Sequence, residues 1–291
     1  MKILATSDLH QAGSKWKDLV KVCQENPFDI VAIAGDLFPK DRDITAQASF
    51  MPKIIKYAKK INETGAKIVV MLGNDDNQRI IPMMEKADKE GIFHYISEKV
   101  IEIDGHEFIG MPYVPDYPFG YKFWCRGETN DCLRIDPLQY CNPPLLVNDN
   151  NKMVGIPDYR AYLIEKKKIW DVLMDLKEQV KNMNKSIWLI HAPPSNLNLD
   201  ICAHGAKVGS QAILKFIKEN QPLLTIHGHI HECPNYNGHV WFNRVDKTIC
   251  IQAGQMDYSL YYTIIDIQDG NVVKIKHSIY GDDLWNYHHI A

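Results

Sequence analysis

Seven side chains with oxygen or nitrogen donors stand at five places along the chain: Asp8-Leu9-His10, Gly35-Asp36, Gly73-Asn74, a lone His191, and His229-Ile230-His231. Carboxylate, amide and imidazole donors together suit hard or borderline divalent cations such as Mn²⁺, Fe²⁺ or Zn²⁺. None of the seven cysteines falls at these places, which argues against a thiolate site. Two such cations, ~3.5–4 Å apart, can share a carboxylate and a water, lowering the pKa of that water toward neutrality. They also neutralise phosphate oxygens as charge builds in an in-line displacement. The chemistry implied is hydrolysis of a phosphate ester by a metal-bridging hydroxide.

Each fragment also has a plain structural reading. Asp8 and His10 can cap a strand, Gly35-Asp36 is a turn signal, and Asn74-Asp75-Asp76 can cap a helix. His191, just before Pro193-Pro194, can simply end a strand. His227-Gly228-His229-Ile230-His231 resists such a reading, because three imidazoles in five residues contribute little to a core. The joint occurrence of all five decides.

Positioning these groups requires elements that end where they begin. Lys2–Thr6, Phe28–Ala34, Ala66–Leu72, Ser186–Ile190 and Leu223–Ile226 are short apolar runs that read as buried strands, each leading into one of the five places. Helical spacing over Ser14–Gln24, Thr45–Asn62, Arg160–Asn182 and Ser210–Asn220 supplies the covering helices, with Ser210 as a cap. A short element at Ile92–Tyr95 precedes a hairpin, Val100–Ile103 with Glu107–Met111, and the tail from Val240 to Ile279 predicts three or four antiparallel strands. The early β-α-β-α-β order predicts a parallel sheet covered on both faces, with ligands gathering at the strands' carboxyl ends. The chain reads as one domain over residues 1–291, with an irregular insertion at about 112–159. That insertion holds Tyr113, Tyr117, Phe119, Tyr121, Phe123, Trp124 and Arg126, which either stack on a base or pack as a satellite cluster.

The motif set Asp-x-His, Gly-Asp, Gly-Asn, lone His and Gly-His-x-His resembles the signature of the calcineurin-like metallophosphoesterases. The resemblance spans Asp8 to His231 and implies a four-layer α/β/β/α sandwich with mixed sheets and two divalent metal ions. Mn²⁺ is the first choice, with Fe²⁺, Zn²⁺ or Ni²⁺ as alternatives. By the same resemblance Asp8, His10 and His231 hold one metal, Asn74, His191 and His229 hold the other, and Asp36 bridges them. His227 lies outside the signature and reads as structural or supporting. The family places a histidine after the asparagine, thought to protonate the leaving group or steady the phosphate, and this chain has Asp75 there. An ordinary aspartate is ionised at neutral pH and cannot donate a proton. Asp75 therefore touches a metal or water, another residue such as His10 or His204 acts as the acid, or the leaving group is a good one. Asp75 and His204 are the candidate catalytic residues, and Lys207 beside His204 could reach a phosphate.

The favoured function is a phosphodiesterase acting on a small phosphoester or nucleotide. A nuclease of the DNA-repair type and a non-catalytic scaffold of the same fold are the alternatives. The net charge of −3 gives no global field toward nucleic acid or anionic lipid. The apolar and charged fractions, 45% and 24%, are those of a folded globular chain rather than a disordered one. No run approaches the ~18 apolar residues of a membrane span, and the scattered, odd-numbered cysteines fit reduced thiols in the cytoplasm.

Overall fold

In the computed structural model, which describes residues 1–10, 12–40, 44–256 and 258–283, the first strand already shows the layering. Strand β1 (Lys2–Thr6) sends Ile3 and Ala5 to one core and Leu4 to another, because successive strand side chains point to opposite faces. Helix α1 (Ala12–Glu25) returns the chain to β2 (Ile30–Ala34), and α2 (Ile44–Asn62) returns it to β3 (Lys67–Met71). These strands pair in parallel, β1 with β2 and β2 with β3. Helix α3 (Ile81–Lys89), which hydrophobic spacing did not reveal, leads to the short parallel strand β4 (His94–Tyr95).

A second sheet begins with the hairpin of β5 (Val100–Ile103) and β6 (His106–Met111). The segment after β6 is not structureless. It contains a small hairpin, β7 (Leu145–Val147) and β8 (Met153–Gly155), and it buries Tyr113, Tyr117, Phe123 and Trp124 in the main core. The expected helix over 160–182 is two helices, α4 (Tyr159–Glu165) and α5 (Ile169–Lys177). Lys168, almost fully buried, makes the break: its ammonium donates to the carbonyls of Leu163, Ile164 and Lys166, satisfying the end of α4. The Asp171 carboxylate accepts from Lys168 N at 3.3 Å and begins α5.

Strand β9 (Ser186–Ile190) pairs in parallel with β6, and α6 (Gln211–Asn220), capped by the Ser210 hydroxyl on Ile213 N, leads to β10 (Leu224–His227) beside β9. The tail supplies β11 (Phe242–Val245), β12 (Thr248–Gln252), β13 (Thr263–Gln268), β14 (Asn271–His277) and β15 (Gly281–Asp283). Its strands pair with one another antiparallel, as expected, and β12 also runs parallel to β10, because the long connection from β10 through β11 brings it back in the same direction. The tail also divides between the sheets, since β13 pairs antiparallel with β1.

Among the described residues the two large sheets have the orders β15-β14-β13-β1-β2-β3-β4 and β11-β12-β10-β9-β6-β5. Ile3, Ala5, Ala32, Val69, Ile187, Leu189 and Ile226 pack between the sheets. Leu4, Val31, Ile33, Trp188 and Ile190 face the helices instead, with Trp16, Leu19, Ile54, Leu173 and Phe216. The result is the mixed α/β sandwich of two sheets with helices outside that the motif resemblance implied; the early β-α-β-α-β order alone predicted helices on both faces of its sheet, and the second cover is the other sheet instead. Each sheet is covered by helices on one face and by the other sheet on its second face. No helix among the described residues is long and apolar enough to cross a membrane.

Candidate metal centre

The carboxyl ends of β1, β2 and β3, neighbours in one sheet, and of β9 and β10, neighbours in the other, lie along one rim of the sandwich. Asp8, Asp36 and Asn74 leave the first three, and His191, His229 and His231 leave the other two. At three of these exits the backbone is left-handed on a residue with a side chain, at Asp8 (φ 53°), Asp36 (φ 55°) and His229 (φ 72°). Such conformations cost of order 1–3 kcal/mol each and cluster where a side chain must be aimed. Gly73 is required by close approach: a Cβ there would lie 2.4 Å from Asp36 Oδ1 and 2.6 Å from His191 Cε1.

Two groups of donors meet at Asp36. Asp8, His10, Asp36 and His231 each offer one ligand atom, all within 4.8 Å of one another. His231 Nε2 lies 3.3 Å from Asp8 Oδ1 and 3.0 Å from His10 Nε2. On the other side, His191 Nε2 lies 3.3 Å from Asp36 Oδ2 and 2.9 Å from Asn74 Oδ1, and His229 Nδ1 lies 2.5 Å from that same amide oxygen. Asp36 Oδ2 also lies 3.2 Å from His10 Nε2. It is buried and makes no aligned hydrogen bond, so its lone pairs point into the space between the two donor groups. An orphaned buried carboxylate oxygen is costly unless something positive meets it. The donor set fits a pair of cations sharing Asp36.

Supporting hydrogen bonds fix the donors' orientation. His191 Nδ1 donates to Ala34 O at 2.8 Å, which leaves Nε2 to face the centre. The Asn74 amide donates from Nδ2 to Asp75 Oδ1 at 2.9 Å, turning its oxygen inward. Asp8 accepts from Ser7 Oγ at 2.5 Å and from His229 N at 3.0 Å. Burial alone would raise the Asp36 carboxyl, but the His191 and His10 imidazoles hold it well below the usual carboxylate range. Burial would likewise lower His191, and Asp36 holds it up at about 9. Burial pushes His229 down to about 3.

All seven expected metal-binding residues are thus brought together. Asp75 lies at the rim of the same cluster, 28% exposed, with Oδ2 3.8 Å from His10 Nε2. His204 is not brought in: it sits on the exposed turn between Ile201 and Lys207, and no contact among the described residues joins it to the cluster. His227 serves the scaffold, its Nδ1 bonding the carbonyls of Ile190 and Ala192 and its Nε2 accepting from Thr225 Oγ1. Of the aromatic insertion, Tyr117 reaches the site, its ring 5.8 Å from that of His229.

Two functional neighbours went unread in the sequence. Asp76 accepts from Leu37 N, Phe38 N and Gly73 N at 2.9–3.1 Å, tying the Asp36 turn to the Asn74 turn. Its position two residues past Asn74 was the only signal, and it read as a cap. Lys40 places its ammonium 3.1 Å from Asp75 Oδ2, and nothing in its spacing marked it.

The family model for calcineurin-like phosphoesterases matches residues 1–233. No curated protein sequence matches the chain. Among solved structures, TT1561 of Thermus thermophilus is 16% identical, with 95% of this chain and 97% of that chain covered and a TM-score of 0.56, a likeness of fold. A novel archaeal phosphodiesterase is 14% identical, with 95% and 98% covered, at a TM-score of 0.46, too loose a likeness to bear on function. The rim of converging donors and the match over 1–233 lead to one conclusion: the chain belongs to the calcineurin-like phosphoesterases.

Proposed function

We propose that this protein hydrolyses phosphodiesters, with Asp8, His10 and His231 holding one divalent cation, Asn74, His191 and His229 a second, and Asp36 shared between them. The observation that carries the reading is Asp36 Oδ2, buried without an aligned hydrogen bond between His10 Nε2 and His191 Nε2 at 3.2 and 3.3 Å. When bound, two cations supply the positive charge that makes water a nucleophile near neutral pH and neutralises a phosphate. Oxygen and imidazole donors without a thiolate suit manganese, iron or zinc, and manganese is the ion proposed here.

The chain's own residues do the rest. The Asp75 backbone N–H donates to Asp36 Oδ1 at 2.8 Å and keeps the other carboxylate oxygen turned to the donors. Tyr117, buried against His229, excludes water from the inner wall. Asp75 and His231, 28% and 26% exposed, mark the open side where a substrate enters. A diester suits Asp75 better than a monoester does, since it brings one less negative charge to a rim that already carries a carboxylate. Phe119 and Tyr140, exposed and in edge contact with ring centroids 5.7 Å apart, continue outward from Tyr117 and favour a nucleotide or another aromatic ester.

The test compares bis(p-nitrophenyl) phosphate, p-nitrophenyl phosphate and single-stranded DNA as substrates, with manganese stoichiometry measured alongside. Two bound ions and preferred turnover of the small diester are expected. Asp36→Asn should lose at least one ion and reduce turnover to near background. Near-normal turnover with two ions in Asp36→Asn would refute the proposal. Full metal loading without turnover of any ester would identify a scaffold, and DNA as the preferred substrate a nuclease.

A further inference from the structure

Asp75 puts a negative charge at the mouth of a site meant for an anion, and the structure shows what stands against it. Lys40 Nζ lies 3.1 Å from Asp75 Oδ2, and that oxygen lies 3.8 Å from His10 Nε2. The lysine is on a fixed leash. Its loop leaves Asp36, and the N–H groups of Leu37 and Phe38 are held by the Asp76 carboxylate at 3.1 and 3.0 Å. Leu37 and Phe38 are themselves buried in the core. Gln47, from α2, donates to the carbonyls of both Pro39 and Asp75, at 3.3 and 2.7 Å, holding the two sides of the pair together. The ammonium keeps 46% of its side chain exposed, so it meets both the site and the solvent from which a substrate arrives.

An exposed ion pair of this kind contributes little to stability. The nearby carboxylates, Asp75 first, favour the charged form of Lys40. A cation so placed, paired with Asp75 at the open side, suits an incoming anion more than it suits the fold.

We propose that Lys40 is the phosphate-positioning cation of this site: Asp75 holds it beside His10, and it turns to a non-bridging phosphate oxygen when substrate enters. The proposal rests on the metal-centre reading above and deepens it. Asp75 holds the position after Asn74 where the resemblance implies a histidine, and Lys40 stands beside it. The charge of the pair is balanced before substrate binds, and binding exchanges one carboxylate partner of Lys40 for a phosphate oxygen. Lysine serves such a role as a point charge, and a charge-assisted hydrogen bond is about twice as strong as a neutral one.

The experiment is calorimetric titration of inorganic phosphate into the manganese-loaded protein, with the manganese content of each variant measured first. Lys40→Ala should bind phosphate about tenfold more weakly with its manganese content unchanged, and Lys40→Arg should stay within about threefold of the parent. Turnover should follow, with the loss in Lys40→Ala appearing mainly in KM. Unchanged phosphate affinity in fully loaded Lys40→Ala overturns the proposal, as does a loaded parent protein that binds no phosphate. Failure of the parent protein to load manganese would instead sink the metal-centre reading, so the two failures are distinguishable.

Discussion

Asp76 shows how one side chain can hold a site that it never enters. Its two oxygens accept from Leu37 N, Phe38 N and Gly73 N, so the turns bearing Asp36 and Asn74 share one buried anchor. Replacing it by alanine strands three backbone donors in a place closed to water. Leaving buried donors unsatisfied costs about 1–3 kcal/mol for each group, reduced where the loop can relax. Asp76→Ala is therefore expected to lower stability by about 3 kcal/mol and to lower metal affinity with it. Chemical denaturation and metal titration check this together, and an unfolding midpoint equal to that of the parent would refute the anchoring role.

At the scale of elements, the segment between β6 and α4 behaves as a brace. Trp124, 1% exposed, donates from its indole to Asp76 O at 2.6 Å, and Gln78 donates to Phe123 O at 2.8 Å. Glu128 accepts from Ser210 Oγ at 2.5 Å and from Ala212 N at 3.1 Å, fastening the same segment to the first turn of α6. A carboxylate there also meets the positive end of the helix dipole. The brace thus touches the turn that carries Asn74 and Asp75. Trp124→Phe keeps the bulk and removes the donor, so it should cost about 1–2 kcal/mol and reduce turnover several-fold by loosening that turn. Thermal melts and steady-state rates measure the two effects; full activity at a lowered melting temperature would mean that the brace serves stability alone.

The whole molecule depends on strands that return late. The tail closes both sheets, β12 beside β10 and β13 beside β1, and His277 links the two halves. Its Nε2 donates to Ala253 O at 2.9 Å, while Nδ1 accepts from Ile279 N at 3.1 Å, which requires the neutral ring. Burial lowers its pKa from 6.5 to about 4. The folded state therefore binds fewer protons than the unfolded state between these values. Stability from this group is full above pH 6.5 and is lost as pH falls toward about 4, by about 3 kcal/mol in all. His227, lowered to about 4 by the same cause, steepens the loss. Urea melts at pH 7, 5.5 and 4.5 should show a shallower acid decline in His277→Gln than in the parent, and parallel declines would count against this assignment.

The apolar strands and their chemical ends were legible in the chain because both are local: a buried strand needs a continuous apolar run, and a turn needs its own glycine or aspartate. That was enough to mark Asp8, His10, Asp36, Asn74, His191, His229 and His231 and to indicate the family. Which sheet each strand joins was not local. Ile3 and Ile187 pack in the same inter-sheet layer although 184 residues separate them in the sequence. The division of the tail between two sheets, the parallel course of β12 and the split at Lys168 were likewise settled by long-range pairing and by buried donors finding acceptors. Lys40 and Asp76 gave no signal of their own because their roles exist only between turns that the fold brings together. Sequence determined the donor set, and tertiary structure decided what surrounds it, since a hydrogen bond across the rim depends on distance in space and leaves no periodic trace in the chain.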